Sequence, residues 1–298
     1  MNMSEENEVV TSCCASCGVA EIDNVKLLKQ CDGCDLVKYC SDECREIHKS
    51  EHEEASRETS AELRDKLLFK QPENNNRGDC PICCLPLPLD HQKSSMYSCC
   101  SKVICVGCDY ANEIREMEME LAPSCPFCRA PLPKTKEEYD KQNMKRVEMN
   151  DPVALCHEGF DQSENGDYRN AFEYWTKAAE LGDAEAHYNL AVLYHNRKGV
   201  ENDEGKYVHH LEEAAIGGHP SARYVLGCHE YRLDNFERAV KHYIIAANQG
   251  QDGSIKALMK LYKEGLVSKE DLANTLRAHQ VAVNATKSSQ RKEAEEYD

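Results

Sequence analysis

Positive charge is in short supply in this sequence. Its 298 residues include 36 lysines and arginines against 53 aspartates and glutamates, a formal net charge of −17 at neutral pH. Proteins bind nucleic acids largely by neutralising phosphates with basic side chains, and an acidic chain is repelled by those phosphates. The composition therefore argues against nucleic-acid binding, and we expect no nucleic-acid partner.

Segments that target a chain to a membrane are also missing. The first residues, MNMSEENEVV, have neither the basic start nor the apolar centre of a secretory signal. No apolar run approaches the roughly 20 residues that a membrane-spanning helix needs. These absences predict an intracellular protein, cytoplasmic or nuclear, with no membrane partner.

Cysteine is almost absent from the second half of the chain and abundant in the first. Only Cys156 and Cys228 follow residue 129, whereas the other sixteen of the 18 cysteines precede it. In a reducing compartment, clustered CxxC pairs are metal ligands more often than disulfides, which are the alternative interpretation. Tetrahedral zinc takes four nitrogen or sulfur ligands, and a CxxC turn delivers two of them. The distribution predicts zinc fingers in the first half of the chain.

The second cysteine block, residues 80–128, contains four close pairs of cysteines, which is enough for two four-cysteine zinc sites. The arrangement resembles a RING finger of the all-cysteine kind, although that family usually separates the ligands that correspond to Cys99 and Cys100. The resemblance implies an interleaved pairing of the ligands. One site would comprise Cys80, Cys83, Cys105 and Cys108, and the other Cys99, Cys100, Cys125 and Cys128. Cys84 is left over, and we expect it to be a buried thiol rather than a ligand.

RING fingers of ubiquitin ligases dock a charged ubiquitin-conjugating enzyme without forming a covalent intermediate, so the resemblance implies no catalytic residue. The positions that correspond to the docking contacts of the family are Ile82, Pro126 and Arg129. The alternative is that Ile82 packs inside the finger and Arg129 caps a turn. The bulky apolar residue that the family carries on the intervening helix has no obvious counterpart in DYANEIREMEME.

The first cysteine block, residues 13–56, resembles a MYND finger. The matching residues are Cys14, Cys17, Cys31, Cys34, Tyr39, Cys40, Cys44 and His52. The resemblance implies one zinc on Cys14, Cys17, Cys40 and Cys44, and a second on Cys31, Cys34, His52 and residue 56. MYND fingers mostly bind short proline-containing peptides, so such a peptide is an expected partner. Nothing after residue 57 resembles the SET domain that some members carry, and methyl transfer is not predicted.

The sequence leaves more than one alternative for the eighth zinc ligand of this block. Ser56 stands where the family has its last cysteine, and a serine hydroxyl is a poor zinc ligand. His48 precedes His52 by about one helical turn, a spacing that lets two imidazoles share a metal. Three alternatives remain: His48 completes a Cys2His2 site, the site keeps three protein ligands and a water, or the second zinc is weak or absent. With His48 as a ligand, the two blocks would hold about four zinc ions.

From residue 153 the sequence becomes rich in alanine and repeats itself. AAELG, AAIGG and AANQG begin at residues 178, 214 and 246. A period of two helices predicts an α-solenoid, with alanines where helices approach and glycines where each second helix ends. The pattern resembles the Sel1-like repeat, most clearly at Tyr188-Asn189-Leu190, Gly199-Val200 and Ala214-Ala215. Such repeats form a concave surface, and we expect an unidentified protein partner there.

Taken together, these patterns predict small zinc-stabilised α+β fingers on the N-terminal side, followed by an all-α helical-repeat solenoid. The expected order is a disordered segment 1–12, a MYND-like finger 13–56, a helical linker 57–79, a RING-like finger 80–133, a charged helical linker 134–152, Sel1-like repeats 153–285 and a disordered tail 286–298. The expected function is protein–protein interaction, as a zinc-binding scaffold or adaptor. The alternative is a RING-type ubiquitin ligase that recruits its substrate through the repeats and a ubiquitin-conjugating enzyme through the second finger.

Overall fold

The computed structural model describes residues 29–30, 38–39, 41–43 and 61–297. The chain divides into two compact units, Met1–Leu67 and Leu68–Asp298. The described part of the first unit includes an antiparallel strand pair, β1 (Lys29–Gln30) and β2 (Lys38–Tyr39), in which Lys29 lies opposite Tyr39. Residues 61–68 are helical and are called helix α1.

The second unit contains a cysteine finger, residues 80–133, that is built on a hairpin and a helix. Strands β3 (Ser94–Tyr97) and β4 (Lys102–Cys105) are antiparallel, with Ser94 opposite Cys105. A short 3-10 turn, His91–Lys93, precedes β3, and helix α2 (Val106–Glu118) follows β4 directly. Because β4 runs straight into α2, the cysteines at the strand end and in the first helical turn lie side by side.

From residue 136 onward the second unit is built mainly of helices. The helices are α3 (Lys136–Glu148), α4 (Pro152–Glu164), α5 (Tyr168–Glu180), α6 (Ala184–Asn196), α7 (Glu204–Ile216), α8 (Pro220–Arg232), α9 (Phe236–Asn248), α10 (Asp252–Lys263), α11 (Lys269–Ala285) and α12 (Ser289–Tyr297). Each helix from α3 to α11 packs against the next, which is the arrangement of a solenoid. The all-α helical-repeat fold that the sequence predicts is confirmed.

The helix boundaries follow from the residues that stand at them. In four repeat helices an aspartate at the N-cap accepts hydrogen bonds from backbone N–H groups of the first turn, which stabilises the helix start. These aspartates are Asp151, Asp167, Asp183 and Asp203. Beyond the ends of α5, α7 and α9, Gly182, Gly218 and Gly250 have φ of 86°, 83° and 92°. This left-handed conformation favours glycine, so the repeating glycines of the sequence mark the helix ends.

Small and large side chains alternate in the core of the repeats. Ala178, Ala214 and Ala246, one from each aligned motif, are fully buried, because their helices approach closely there. Trp175 on α5 is buried, and its Nε1–H donates to the carbonyl oxygen of Cys156 at 3.0 Å. A Cβ on Gly159 would lie within 2.4 Å of the Trp175 ring, so the absence of a side chain on α4 makes room for the indole.

The C-terminal tail differs from the expected disorder. Residues 289–297 form helix α12, which packs against α2 of the cysteine finger. Ser288 accepts a hydrogen bond from the Arg291 N–H at 3.2 Å and so caps the helix. Arg291 and Ala294 are buried against the finger. The polar composition of the tail concealed a helix whose stability comes from tertiary packing rather than from its own apolar stripe.

The expected helical linker 57–79 is helical only in part among its described residues. Residues 61–68 form α1, whereas residues 71–79 are turns and extended chain. The sequence QPENNNRGD is rich in residues that favour turns and disfavour helix, in agreement with this outcome.

Among the residues that the structure describes, no helix combines the length and the apolar character that crossing a membrane requires.

Candidate metal centres

Four sulfur atoms converge at the start of helix α2. The Sγ atoms of Cys80, Cys83, Cys105 and Cys108 all lie within 4.8 Å of one another, and those of Cys83 and Cys105 are 3.8 Å apart. Cys105 ends β4 and is the N-cap of α2, and Cys108 lies in the first turn of that helix. Cys80 and Cys83 come from the turn that begins the finger. We call these four residues the first cysteine group.

A second set of four sulfur atoms lies at the turn of the β3–β4 hairpin. The Sγ atoms of Cys99, Cys100, Cys125 and Cys128 also lie within 4.8 Å of one another. Cys99 Sγ is 3.4 Å from Cys128 Sγ, and Cys100 Sγ is 3.8 Å from Cys125 Sγ. The side chains of Cys99 and Cys100 therefore both belong to this set of sulfur atoms, although the two residues are adjacent in the sequence. We call these four residues the second cysteine group.

The two CPxC turns of the finger have the same backbone hydrogen bonds. The Cys84 N–H donates to the Cys80 carbonyl at 2.9 Å, and the Cys80 N–H donates to the Leu85 carbonyl at 2.9 Å. In the other turn, the Arg129 N–H donates to Cys125 at 3.0 Å, and the Cys125 N–H donates to Ala130 at 2.8 Å. Each turn therefore holds its two sulfur atoms in the same relation to the backbone.

The equivalence of the two turns is also visible in the sequence, although the spacing of the cysteines alone does not reveal it. Residues 80–88 read CPICCLPLP and residues 125–133 read CPFCRAPLP. The prolines of the two segments lie in matching isolated bridges, Asp79 with Pro86 and Ser124 with Pro131. The finger thus contains one turn motif twice, and each copy contributes to a different cysteine group.

Within each group, the ionisation of one thiol disfavours the ionisation of its neighbours. The Cys105 thiol donates to Cys80 and lowers the pKa of Cys80 to about 4, while the same hydrogen bond raises the pKa of Cys105. Burial raises the pKa of Cys108 to about 12 and that of Cys100 to about 11. Four close thiols, most of them buried in the first group, cannot all ionise without a cation among them, and a divalent metal ion supplies that charge.

Both groups fit a four-coordinate metal site. Tetrahedral zinc with Zn–S bonds of about 2.3 Å separates its sulfur ligands by about 3.8 Å. The Sγ–Sγ separations of 3.4 and 3.8 Å, with all others within 4.8 Å, lie on either side of that value or match it. The two groups contain the same residues as the interleaved sets implied by the RING resemblance, and zinc binding by each residue stays a prediction. Cys84, which we expected to be buried, is exposed, because its left-handed backbone (φ 55°) turns away from the first group.

The three positions that correspond to conjugating-enzyme contacts have different surroundings. Ile82 is 42% exposed, Pro126 is buried, and Arg129 is exposed with φ of 62°. The Arg129 guanidinium donates to Asn112 Oδ1 on helix α2 at 2.5 Å. A docking role for these residues stays a prediction, and the structure adds Asn112 as the side chain that orients Arg129.

A buried polar network joins helix α2 to the segment before Cys125. Asn112 Nδ2 donates to the Ser124 carbonyl at 3.1 Å, and the Ser124 hydroxyl donates to Glu116 at 2.6 Å. Burial raises the pKa of Glu116, but hydrogen bonds from Ser124 and Asn112 outweigh it and hold this pKa below its ordinary value. The charged Glu116 therefore anchors the segment before Cys125.

The ligands expected in the MYND-like block lie outside the described residues. They are Cys14, Cys17, Cys31, Cys34, Cys40, Cys44, His48 and His52. The three alternatives for the second zinc of this block therefore stay open: His48 is the fourth ligand, a water is the fourth ligand, or the zinc is weak or absent.

A segment of the linker lies along the repeats and fills part of their surface. Leu68 is buried among residues of α6, α7 and α8. The Arg223 side chain, fully buried on α8, donates to the carbonyl oxygens of Leu68, Lys70 (3.3 Å) and Ala215 (2.9 Å). Phe69 packs on His242, with ring centroids 4.8 Å apart. We call residues 68–76 the strap, and it covers part of the surface of the repeats.

Comparison with known proteins identifies two of the modules. The MYND finger family matches residues 14–55, and the Sel1 repeat family matches residues 154–183, 184–219 and 220–251. The chain thus carries a MYND finger followed by three Sel1 repeats. A MYND finger binds zinc, and both modules are protein-interaction modules. These matches support a zinc-binding protein-interaction module.

Curated relatives resemble parts of the chain. It is 31% identical over 101 residues to the putative sel1-like repeat-containing protein L21 of Acanthamoeba polyphaga mimivirus. This alignment covers 33% of this chain and 18% of that protein. It is 26% identical over 165 residues to DAP3-binding cell death enhancer 1 of Mus musculus, which covers 42% of this chain and 32% of that protein. The chain thus spans about a fifth to a third of these relatives.

Two crystal structures resemble part of the chain. A Sel1 repeat protein from Oxalobacter formigenes matches with a TM-score of 0.44 and 29% identity over 52% of this chain and 66% of that chain. The c5321 protein, described as a protective antigen of uropathogenic Escherichia coli strains with an SLR fold, matches with a TM-score of 0.41 and 19% identity over 56% of this chain and 37% of that chain.

Proposed function

We propose that this chain is a zinc-stabilised scaffold that brings protein partners together, with about four zinc ions in its two fingers. The observation that carries the proposal is the presence of two interaction modules, the MYND finger at 14–55 and the Sel1 repeats at 154–251, in one chain. The cysteine finger contributes two further metal-binding groups and a third surface. We expect the protein to act in the cytoplasm or nucleus, with no nucleic-acid or membrane partner.

The MYND finger is expected to bind short proline-containing peptides in a zinc-dependent manner. Fluorescence anisotropy with a panel of such peptides and the zinc-loaded full chain should give saturable binding. The double substitution Cys31→Ser, Cys34→Ser should weaken this binding by more than about tenfold, because a finger without its metal ligands does not keep its fold. Cys84→Ser, which removes an exposed cysteine outside both cysteine groups, is the matched control. Peptides that bind the double variant as tightly as the natural chain, or a panel that does not bind at all, would count against the proposal.

The second candidate function is ubiquitin ligation through the cysteine finger. The observation that favours it is an exposed Ile82 in one CPxC turn and an exposed Arg129 after the other, as docking of a conjugating enzyme requires. In an autoubiquitination assay with a panel of conjugating enzymes, a ligase should form ubiquitin chains, and Ile82→Ala or Arg129→Ala should reduce the rate by about tenfold or more.

The control for this assay is Arg197→Ala, which removes a repeat arginine with a similar left-handed backbone, φ 56°. The zinc content of each variant is measured in parallel, so that loss of docking is separated from loss of the fold. Ubiquitination that is absent with every conjugating enzyme supports the scaffold function. Activity that survives both substitutions places the docking site elsewhere.

A further inference from the structure

Helix α12 is fixed against the cysteine finger by close backbone packing and by contacts along its length. A Cβ on Gly107 in α2 would lie 2.8 Å from the backbone nitrogen of Arg291, so the two helices touch with no side chain between them. Lys93 Nζ pairs with Glu295 at 2.7 Å, and the rings of Tyr110 and Tyr297 pack at 5.0 Å. The position of α12 on the finger is therefore set at three separate points.

The side chain of Arg291 reaches the first cysteine group. Arg291 is only 4% exposed. Its Nη1 donates to the carbonyl oxygens of Pro86 at 2.8 Å and Thr286 at 2.6 Å. Its Nη2 donates to the Leu85 carbonyl at 3.3 Å and to the Cys83 Sγ at 3.5 Å. One guanidinium therefore holds the loop that follows the first CPxC turn and contacts a sulfur atom of the group.

We propose that Arg291 is a positioning residue of the first metal site, and that helix α12 completes this site from 208 residues further along the chain. The proposal rests on zinc binding by the first cysteine group. A zinc ion with four thiolates has a net charge of −2, which burial disfavours unless a cation or N–H donors lie next to the sulfur atoms. A buried guanidinium provides both the charge and the donor.

The two roles of Arg291 act on the same ligand. The hydrogen bonds to Leu85 and Pro86 fix the backbone after Cys83, and the N–H···S contact lowers the charge on the Cys83 sulfur. Outer-shell partners of metal ligands typically change metal affinity by about 10- to 100-fold when they are lost. Arg291 should therefore control how long the first site keeps its metal and how fast Cys83 reacts with electrophiles.

The test is site-resolved alkylation and zinc release in the full-length, zinc-loaded chain. Iodoacetamide labelling followed by peptide mass spectrometry gives a rate for Cys83 and, as an internal reference, for Cys99 and Cys128 of the second group. We expect Arg291→Met to speed Cys83 labelling and zinc release from the first site by about 10- to 100-fold, with the second group unchanged. Arg291→Lys, which keeps the charge and a donor, should restore part of the difference.

The matched control is Lys292→Met, which removes the neighbouring, exposed cation that pairs with Glu296 on the same helix. A readout specific to the N–H···S contact is the ¹¹³Cd resonance of the first site in the cadmium-loaded protein, which should shift in Arg291→Met and not in Lys292→Met. Equal acceleration of both cysteine groups would mean that Arg291 only supports the fold, and unchanged rates would also overturn the proposal. A natural chain whose finger binds no zinc would instead overturn the zinc premise.

Discussion

Cys105→Ser is expected to cost the protein one zinc ion and to unfold the cysteine finger around the first group. Cys105 is 1% exposed, ends β4 and caps α2, so that a single residue joins the hairpin, the helix and the metal ligands. Structural zinc contributes an apparent binding free energy of about 10–16 kcal/mol in small fingers, and this energy is also folding energy. A serine hydroxyl does not replace the thiolate.

Metal analysis by mass spectrometry should find one zinc fewer in Cys105→Ser, and hydrogen exchange should find lost protection across β3, β4 and the start of α2. The matched control is Cys84→Ser, which removes an exposed thiol next to Cys83 and should change neither quantity. A Cys105→Ser protein with the natural zinc content and protected strands would show that the first group is not a structural metal site.

Arg223→Met is expected to produce the largest loss of stability within the repeats. The guanidinium is fully buried and satisfies three backbone carbonyls, two of them on the strap. The Ala215 carbonyl keeps the Gly218 N–H as a donor at 3.1 Å, and Lys70 is exposed to water, so the buried carbonyl of Leu68 is the one that loses its partner. A buried carbonyl left without a donor costs about 1–3 kcal/mol, and the free energy of unfolding should fall by about that amount. Burial lowers the pKa of Arg223 to about 10, so the guanidinium remains charged at neutral pH.

Limited trypsin digestion measures this effect at the strap itself. Lys70 is exposed, and in Arg223→Met the bond after it should be cut faster because the carbonyls of Leu68 and Lys70 have lost their donor. The urea midpoint of the repeats should fall in parallel. Arg169→Met, at an exposed site on α5, is the control and should change neither. Natural cleavage and stability in Arg223→Met would mean that the other contacts of the strap, such as those of Leu68, Phe69 and Asn76, hold it without the guanidinium.

The repeats and the cysteine pairs were predictable because both leave local, periodic marks. A two-helix period with Ala-Ala pairs and helix-ending glycines specifies packing between neighbours, and each neighbour is close in sequence. A CxxC pair likewise specifies a turn that supplies two ligands. These marks indicate the solenoid and the four cysteine pairs, whereas the interleaved division of the pairs into two groups is what the RING resemblance implies.

The residues that sequence reasoning missed act over long distances. Arg223 occupies a helix position where an arginine usually lies on the surface, and only the strap explains its burial. Arg291 lies in a polar tail whose helix is stabilised by the finger. The local sequence indicates this helix only through Ser288, an N-cap residue before a run of helix formers. Asn112 and Glu116 form a buried hydrogen-bonded network with Ser124, which no hydrophobic pattern predicts.

The return of helix α12 to the cysteine finger has a consequence for folding during synthesis. Contacts between residues separated by 208 positions cannot form until the last of them has left the ribosome. The hairpin and the CPxC turns can assemble early, but the surface of α2 around Gly107 stays uncovered until translation of the repeats is complete. A nascent chain that stalls within the repeats therefore carries a finger whose α2 face is not yet covered by α12 and whose first cysteine group still lacks Arg291.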